Sequence, residues 1–346
     1  MSINQNAPGT FKGFGLFCCL LLGTEGVEIR TVKQLLPNPQ FPIPNPQSLT
    51  FQENETMINA KLAAQSHVNH QTIVKISEKV AFGGKELVII GGPCTVESLE
   101  QMEIVAQKLS TASVHGLRGG VYKPRTSPYA FQGMGEEGLE ILAKVRSHYN
   151  LPVVTEVMSI SQIEVVAVHA DMLQVGSRNM QNFDLLKALG QAGKPILLKR
   201  GLAATIEEFV MAAEYILSHG NPDVVLCERG IRSFDDYTRN VLDLGAVAAL
   251  KQITHLPVIV DPSHAVGKRE LVAPMARAAI ACGADGLIIE CHPEPEKSVS
   301  DARQALSLED MVHLVNSLKP VATAVGRSIS EAIGAGLEPA PIFWAA

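Results

Sequence analysis

Eight short apolar runs, each followed by an amphipathic segment, predict an α/β fold: a TIM (β/α)8 barrel with an N-terminal β-hairpin and an irregular N-terminal extension. The runs fall at residues 87–90, 117–121, 153–156, 172–175, 196–199, 224–228, 258–261 and 287–290. Runs of four or five residues without polar alternation suit strands buried on both faces, as in a parallel sheet. Helix-compatible segments follow at 98–112, 136–149, 159–169, 182–190, 205–218, 238–253, 267–282 and 306–319. Eight such units over about 250 residues match the barrel pattern. An open doubly wound sheet is the alternative, but eight regular repeats favour closure.

Taken in order, the first segment is the least regular. Residues 14–23 are apolar, but ten residues fall short of the roughly 20 needed for a spanning helix. They also lack the basic start and small-residue cleavage site of a secretory signal. Residues 36–55 are rich in Pro, Asn and Gln, a composition that resists regular structure. The expected domains are therefore 1–71, a largely disordered extension (or an upstream start, with Met57 opening the more regular chain); 72–323, the barrel; and 324–346, a tail carrying the only tryptophan, Trp344. His67 and His70 read as a solvated segment, not a ligand pair. Residues 72–77 and 80–82, before Gly83-Gly84, predict the hairpin. Ser98, Thr205 and Ser307, each with acidic residues just beyond, mark helix starts.

A net charge of -6 argues against a general nucleic-acid binder. Six cysteines without a CxxC pair suggest a reducing, cytoplasmic setting. No membrane partner is expected.

Barrel sites are built at the C-terminal ends of strands, and two themes appear there. The first is basic: Arg118, Lys123, Arg125, Arg178, Lys199, Arg200, Arg229 and Arg232 surround one predicted rim of an acidic protein. Guanidinium forks match phosphate and carboxylate, so the substrates should carry both. The second is metal-ligating: Cys94, His264 and Glu290 end runs one, seven and eight, which are neighbours once the barrel closes, and Asp301 follows run eight. A thiolate, an imidazole and carboxylates make a site for one divalent transition metal, with Mn, Fe, Zn, Co and Cu all open.

The stretches "GGPCTVES", "LRGGVYKPRTSPYAFQG", "QVGSRNMQNF", "LLKRG", "ERGIRSF", "DPSHAVGKRE" and "IIECHPEPEKSVSDARQAL" resemble the type Iβ 3-deoxy-D-arabino-heptulosonate 7-phosphate (DAHP) synthases over about residues 72–322. The resemblance implies condensation of phosphoenolpyruvate with erythrose 4-phosphate, the first step of the shikimate pathway to aromatic amino acids. It places the metal ligands on Cys94, His264, Glu290 and Asp301. It places the phosphoenolpyruvate clamp on Arg118, Lys123, Arg178, Lys199 and Arg229, and the erythrose 4-phosphate contacts on Lys123, Pro124, Arg125 and Thr126, with Ser127 nearby. Arg200 and Arg232 fall outside that clamp, as rim or supporting charges. Lys123 is the expected proton donor to the developing alkoxide, and His264 or Glu290 is expected to position the attacking water. A homo-oligomer, dimer or tetramer, is also expected.

Family members often carry an N-terminal ferredoxin-like module or a fused chorismate mutase; residues 1–71 resemble neither, so feedback by Tyr or Phe through this segment is not expected. Cys291, next to Glu290, should point behind the barrel by strand alternation; the sharper alternative is oxidative pairing with Cys94. Two other functions remain. One is 3-deoxy-D-manno-octulosonate 8-phosphate synthase, which uses arabinose 5-phosphate and typically carries a "KANRSS"-like loop where this chain has "KPRTS". The other is a non-catalytic barrel acting as a regulatory partner.

Overall fold

The structure, a computed structural model, describes residues 58–125 and 127–331. The apolar segment 14–23, the Pro-rich stretch 36–55, Thr126 and Trp344 lie outside the described residues. A short hairpin pairs two-residue strands, β1 (Val74–Lys75) with β2 (Ala81–Phe82). Eight parallel strands then close a barrel: β3 (Val88–Gly92), β4 (Gly116–Arg118), β5 (Val153–Val157), β6 (Met172–Val175), β7 (Ile196–Lys199), β8 (Val224–Glu228), β9 (Val258–Val260) and β10 (Gly286–Glu290), with β10 pairing back onto β3. Between and after them lie α1 (Leu99–Ser110), α2 (Glu136–Tyr149), α3 (Ile163–His169), α4 (Phe183–Leu189), α5 (Ile206–Ser218), α6 (Leu244–Ile253), α7 (Pro262–Val266), α8 (Arg269–Ala281) and α9 (Leu308–Ala324). No helix among the described residues is long and apolar enough to cross a membrane.

The expected caps form. Ser98 and Ser307 accept the N–H groups of Gln101 and Asp310, and Thr205 with Glu208 makes a reciprocal capping box.

Several boundaries differ from expectation: the first strand runs on to Gly92, the third helix starts at Ile163, a short helix precedes the seventh, and the last helix runs to Ala324. Three others shape the site. The second strand stops at Arg118, and its pairing with the β3 side resumes only as an isolated parallel bridge between Thr95 and Gly120, in which the Gly120 N–H donates to the Cys94 carbonyl at 3.2 Å. The seventh stops at Val260 because Asp261 caps α7, accepting the His264 N–H at 2.9 Å. The sixth helix begins at Leu244 instead of 238: Ile231 and Val241 bridge antiparallel, and only at Asp243 does a side chain cap a helical turn.

Strand alternation sorts the side chains into two cores. Val88, Ile90, Val154, Met172, Leu197, Val225, Ile259 and Ile288 point into the barrel. Ile89, Val153, Leu173, Leu198, Leu226, Val260 and Ile289 point outward against the helices. The hairpin contributes Val74, Ile76, Val80 and Phe82 to the inner cluster and so plugs the N-terminal end.

Both flanking segments dock on the barrel. The Glu214 carboxylate accepts the N–H groups of Lys61, Leu62 and Ala63, and Ala63 is fully buried. The His67 and His70 rings stack at 4.9 Å, and His70 stacks on His255 at 4.1 Å. Beyond α9, the Ser328 carbonyl accepts the Leu87 N–H at 2.8 Å, and Arg327 bonds Asp285 at 3.2 Å.

Phe82 is completely buried in the inner core. Phe82→Ala should cost about 3–5 kcal/mol of folding stability, read by chemical denaturation. A loss below about 1 kcal/mol would mean that the hairpin does not plug the barrel.

Candidate active site

The inward phase that fills the lower barrel with aliphatics delivers polar groups at its C-terminal end. Lys199 follows Leu197, Glu156 follows Val154, Glu290 follows Ile288 and Arg229 follows Cys227, each two residues on and therefore on the same side. Lys199, Glu156 and Arg229 border a cavity of about 410 Å³ whose wall also includes Arg118, Lys123, Arg125, Arg178, Arg232 and Arg239. Seven of the eight basic residues expected at the rim thus meet there; Pro124, His264 and Asp301 line it as well. Ser127 is exposed and does not line it.

Arg200 is the exception. It shares the outward phase of Leu198 and meets Glu228, which shares that of Leu226, at 2.8 Å; Asp243 adds a second contact at 3.0 Å. Both members of the first pair are buried, so this is an ion pair behind the barrel wall. Cys291 is likewise outward, in the core beneath the helices, and stands as a free thiol apart from Cys94.

The four expected metal donors converge. Donor atoms of Cys94, His264, Glu290 and Asp301 lie within 4.8 Å of one another. Gly92 enables the approach of the first: it holds φ +144, and a Cβ there would sit 2.2 Å from the Arg118 carbonyl oxygen. Cys94 Sγ lies 3.0 Å from Asp301 Oδ2 and 2.9 Å from the Lys123 ammonium. Glu290 receives the Gln304 amide at 2.8 Å on one oxygen, while its other oxygen is buried with no hydrogen-bond partner. That orphan oxygen, on a carboxylate that converges with a thiol and an imidazole, fits a divalent transition metal.

Two further residues set the cluster's geometry. Asp261, fully buried, lies 2.8 Å from His264 Nδ1 and 2.5 Å from Lys199 Nζ. Such a carboxylate fixes the imidazole tautomer and leaves Nε2 for a ligand. Arg239 bonds Asp301 and Gln304 at 3.0 and 3.1 Å.

Burial dominates the proton affinities. It pushes the Glu290 carboxyl up to about 7, against the pull of Arg118, and the His264 imidazole down to about 3 despite Asp261. It also raises the Cys94 thiol, with Glu290 adding to the effect, and raises the Glu156 carboxyl against Lys123 and Lys199. Burial would raise Asp261 too, but His264, Lys199 and Arg118 outweigh it and hold the group well below the carboxylate range.

The anion side is equally distinct. Nη1 of Arg118 and of Arg229, and Nη2 of Arg125, are buried without hydrogen-bond partners. Guanidinium edges left open inside a cavity call for phosphate or carboxylate oxygens. A larger cleft of about 710 Å³ lies between α8 and α9, but its lining mixes Arg269, Arg277 and Arg303 with Glu270, Glu296 and Asp310 and contains none of the convergent donors.

Sequence reasoning missed Glu156, Asp261 and Arg239 as site residues. Glu156 ends the third apolar run and shares Val154's phase, a usable signal. Asp261 stands three residues before His264, the spacing of a helix cap. Arg239 sits in an irregular loop and left no signal.

Comparison with known proteins gives a consistent picture. Residues 71–326 match the DAHP synthetase I family. The phospho-2-dehydro-3-deoxyheptonate aldolase of Thermotoga maritima is 48% identical over 270 residues, covering 78% of this chain and 80% of that protein. A crystal structure of that enzyme (DAHP synthase) superposes with a TM-score of 0.77 at 47% identity, over 79% of this chain and 80% of the other. The 2-dehydro-3-deoxyphosphooctonate aldolase of Cupriavidus taiwanensis is 36% identical over 269 residues, covering 70% of this chain and 92% of its own.

Two outcomes follow from the buried charges. Asp261→Ala strands the Lys199 ammonium, so stability should fall by about 3–5 kcal/mol in chemical denaturation; a change under about 1 kcal/mol would contradict the pairing. Because the Glu290 proton must leave before its oxygen can ligate, Mn2+ affinity should rise from about pH 6 to about pH 8, with proton release measurable in calorimetry. The neutral carboxyl favours the chelated protein's fold. That contribution is complete below its ordinary value of 4.5 and is lost as pH rises through about 7. A pH-independent affinity would contradict the Glu290 assignment.

Proposed function

The chain belongs to the DAHP synthetase I family, and on that premise we infer that it condenses phosphoenolpyruvate with D-erythrose 4-phosphate and water to give 3-deoxy-D-arabino-heptulosonate 7-phosphate and phosphate. This is the first step of the shikimate pathway to chorismate and the aromatic amino acids. One observation carries the reading: arginines with open guanidinium edges line the same cavity as His264 and Asp301, two members of the four-donor cluster.

Arg118, Lys199, Arg229, Arg178 and Lys123 bind the carboxylate and phosphate of phosphoenolpyruvate, and Lys123, Pro124, Arg125 and Thr126, with Ser127 nearby, receive the sugar phosphate. Holding both anions fixes the approach of phosphoenolpyruvate C3 to the aldehyde carbon. Cys94, His264, Glu290 and Asp301 would hold a divalent ion, which when bound would supply Lewis-acid polarisation of the aldehyde oxygen; Mn, Fe, Zn, Co and Cu all suit this donor set.

As the C–C bond forms, Lys123 gives its proton to the aldehyde oxygen. Water adds to C2 of the phosphoenolpyruvate unit. With His264 engaged by Asp261 and the donor cluster, Glu156 is the carboxylate of the cavity wall outside that cluster that can take the water's proton. The C2–O bond to phosphate then breaks, phosphate leaves and the ketone forms. A cytoplasmic homo-oligomer is part of this reading.

The octonate-forming alternative draws support from its 36% identical relative, but the heptonate enzyme is more similar and the chain has "KPRTS" at the sugar loop. Phosphate release should be rapid with erythrose 4-phosphate, much slower with arabinose 5-phosphate, and abolished by a chelator. The reverse sugar preference selects the alternative, and no release with either sugar selects a non-catalytic barrel. Lys123→Met should lower kcat by about 10²–10⁴-fold, the scale of a lost proton donor, with a much smaller change in metal affinity. Equal losses would remove Lys123 from the proton step.

A further inference from the structure

Two loops meet over the donor cluster. The first, between β3 and α1, carries Cys94 and continues to Glu97. The second, between β10 and α9, carries Asp301, which adopts φ 58. A left-handed backbone is unfavourable for a residue with a Cβ and persists where its surroundings hold it.

The Glu97 carboxylate provides such a hold. Its Oε1 accepts the Val299 N–H at 3.1 Å and lies 3.4 Å from the Ser298 hydroxyl oxygen. Its Oε2 faces His292 Nε2 at 3.5 Å. His292 Nδ1 accepts the Glu294 N–H, so the ring hydrogen lies on Nε2, on the Glu97 side of the ring but without a hydrogen bond to it. The Glu97 backbone is itself fixed by Gln101, whose side chain accepts its N–H at 3.0 Å.

From Glu97 the contacts run directly to the cluster. Ser298 Oγ donates to the Ser300 carbonyl at 2.7 Å. Ser300 Oγ lies 3.4 Å from Cys94 Sγ and 3.3 Å from Asp301 Oδ2. A carboxylate three residues beyond Cys94 therefore braces the strand of loop that presents Asp301 to the same sulfur.

We propose that Glu97 is a positioning residue that latches the β10–α9 loop to the β3–α1 loop and so holds Asp301 in place as the fourth metal donor. The proposal rests on the four-donor reading of the site. It assigns Glu97 no contact with metal or substrate: it acts through Asp301.

Titration of the full chain with Co2+ tests it, reading affinity and the thiolate-to-cobalt absorption band together. Loss of a supporting residue typically lowers metal affinity about 10–100-fold. Glu97→Ala should show a loss of that size while the thiolate band persists, because Cys94 is untouched. In an Asp301→Ala background the same change should add little, since its route of action is already gone. Glu97→Gln keeps an oxygen for the Val299 N–H and should recover most of the affinity. Wild-type affinity in Glu97→Ala, an undiminished loss in the Asp301→Ala background, or no recovery in Glu97→Gln would each overturn the latch. Absence of the thiolate band in the unmodified chain would instead overturn the metal site itself.

Discussion

A closed parallel barrel gives each strand residue two destinations, the interior or the helix layer, and the pleat assigns them alternately. Here the interior is already filled at one end by the hairpin and a layer of aliphatic side chains. Inward positions near the other end therefore hold the remaining space, and the chain uses them for Lys199, Arg229, Glu156 and Glu290. The outward positions beside them take Arg200, Glu228 and Cys291, which contribute packing and an ion pair. Chemistry and stability are thus interleaved residue by residue along the same strands.

The placement concentrates charge at a considerable electrostatic cost. Arginines and lysines converge on one cavity, and a buried charge without a partner is expensive. The structure answers locally on one side: Asp261 compensates Lys199, and Asp301 compensates Arg239. On the other side the guanidinium edges of Arg125 and Arg229 stay open, and Arg118 reaches Glu290 only at 3.8 Å, beyond hydrogen-bond range. Under the proposed function a pair of phosphorylated substrates completes what the protein leaves unbalanced, so recognition and charge neutralisation become one event.

Much of this was legible because period and chemistry are both local signals. The eight apolar runs predicted the strands, and closure brought Cys94, His264, Glu290 and Asp301 together from distant positions. Arg200 shows where the reading stopped: strand-end position placed it on the rim, whereas its outward phase, one residue from Lys199, sends it behind the wall. The same alternation argument correctly placed Cys291. The late start of α6 and the position of Arg239 were not legible, because the loop at 231–243 is set by a bridge between Ile231 and Val241 that no periodicity announces.

The interleaving also constrains how such a sequence can change over evolutionary time. One residue inserted within β8 ahead of Glu228 would carry Glu228 into the mouth and turn Arg229 toward the apolar helix layer, exchanging a cavity-lining guanidinium for a carboxylate. Insertions in the connecting loops leave strand phase intact. Length variation should therefore accumulate between the strands, while the strands themselves drift by substitution alone.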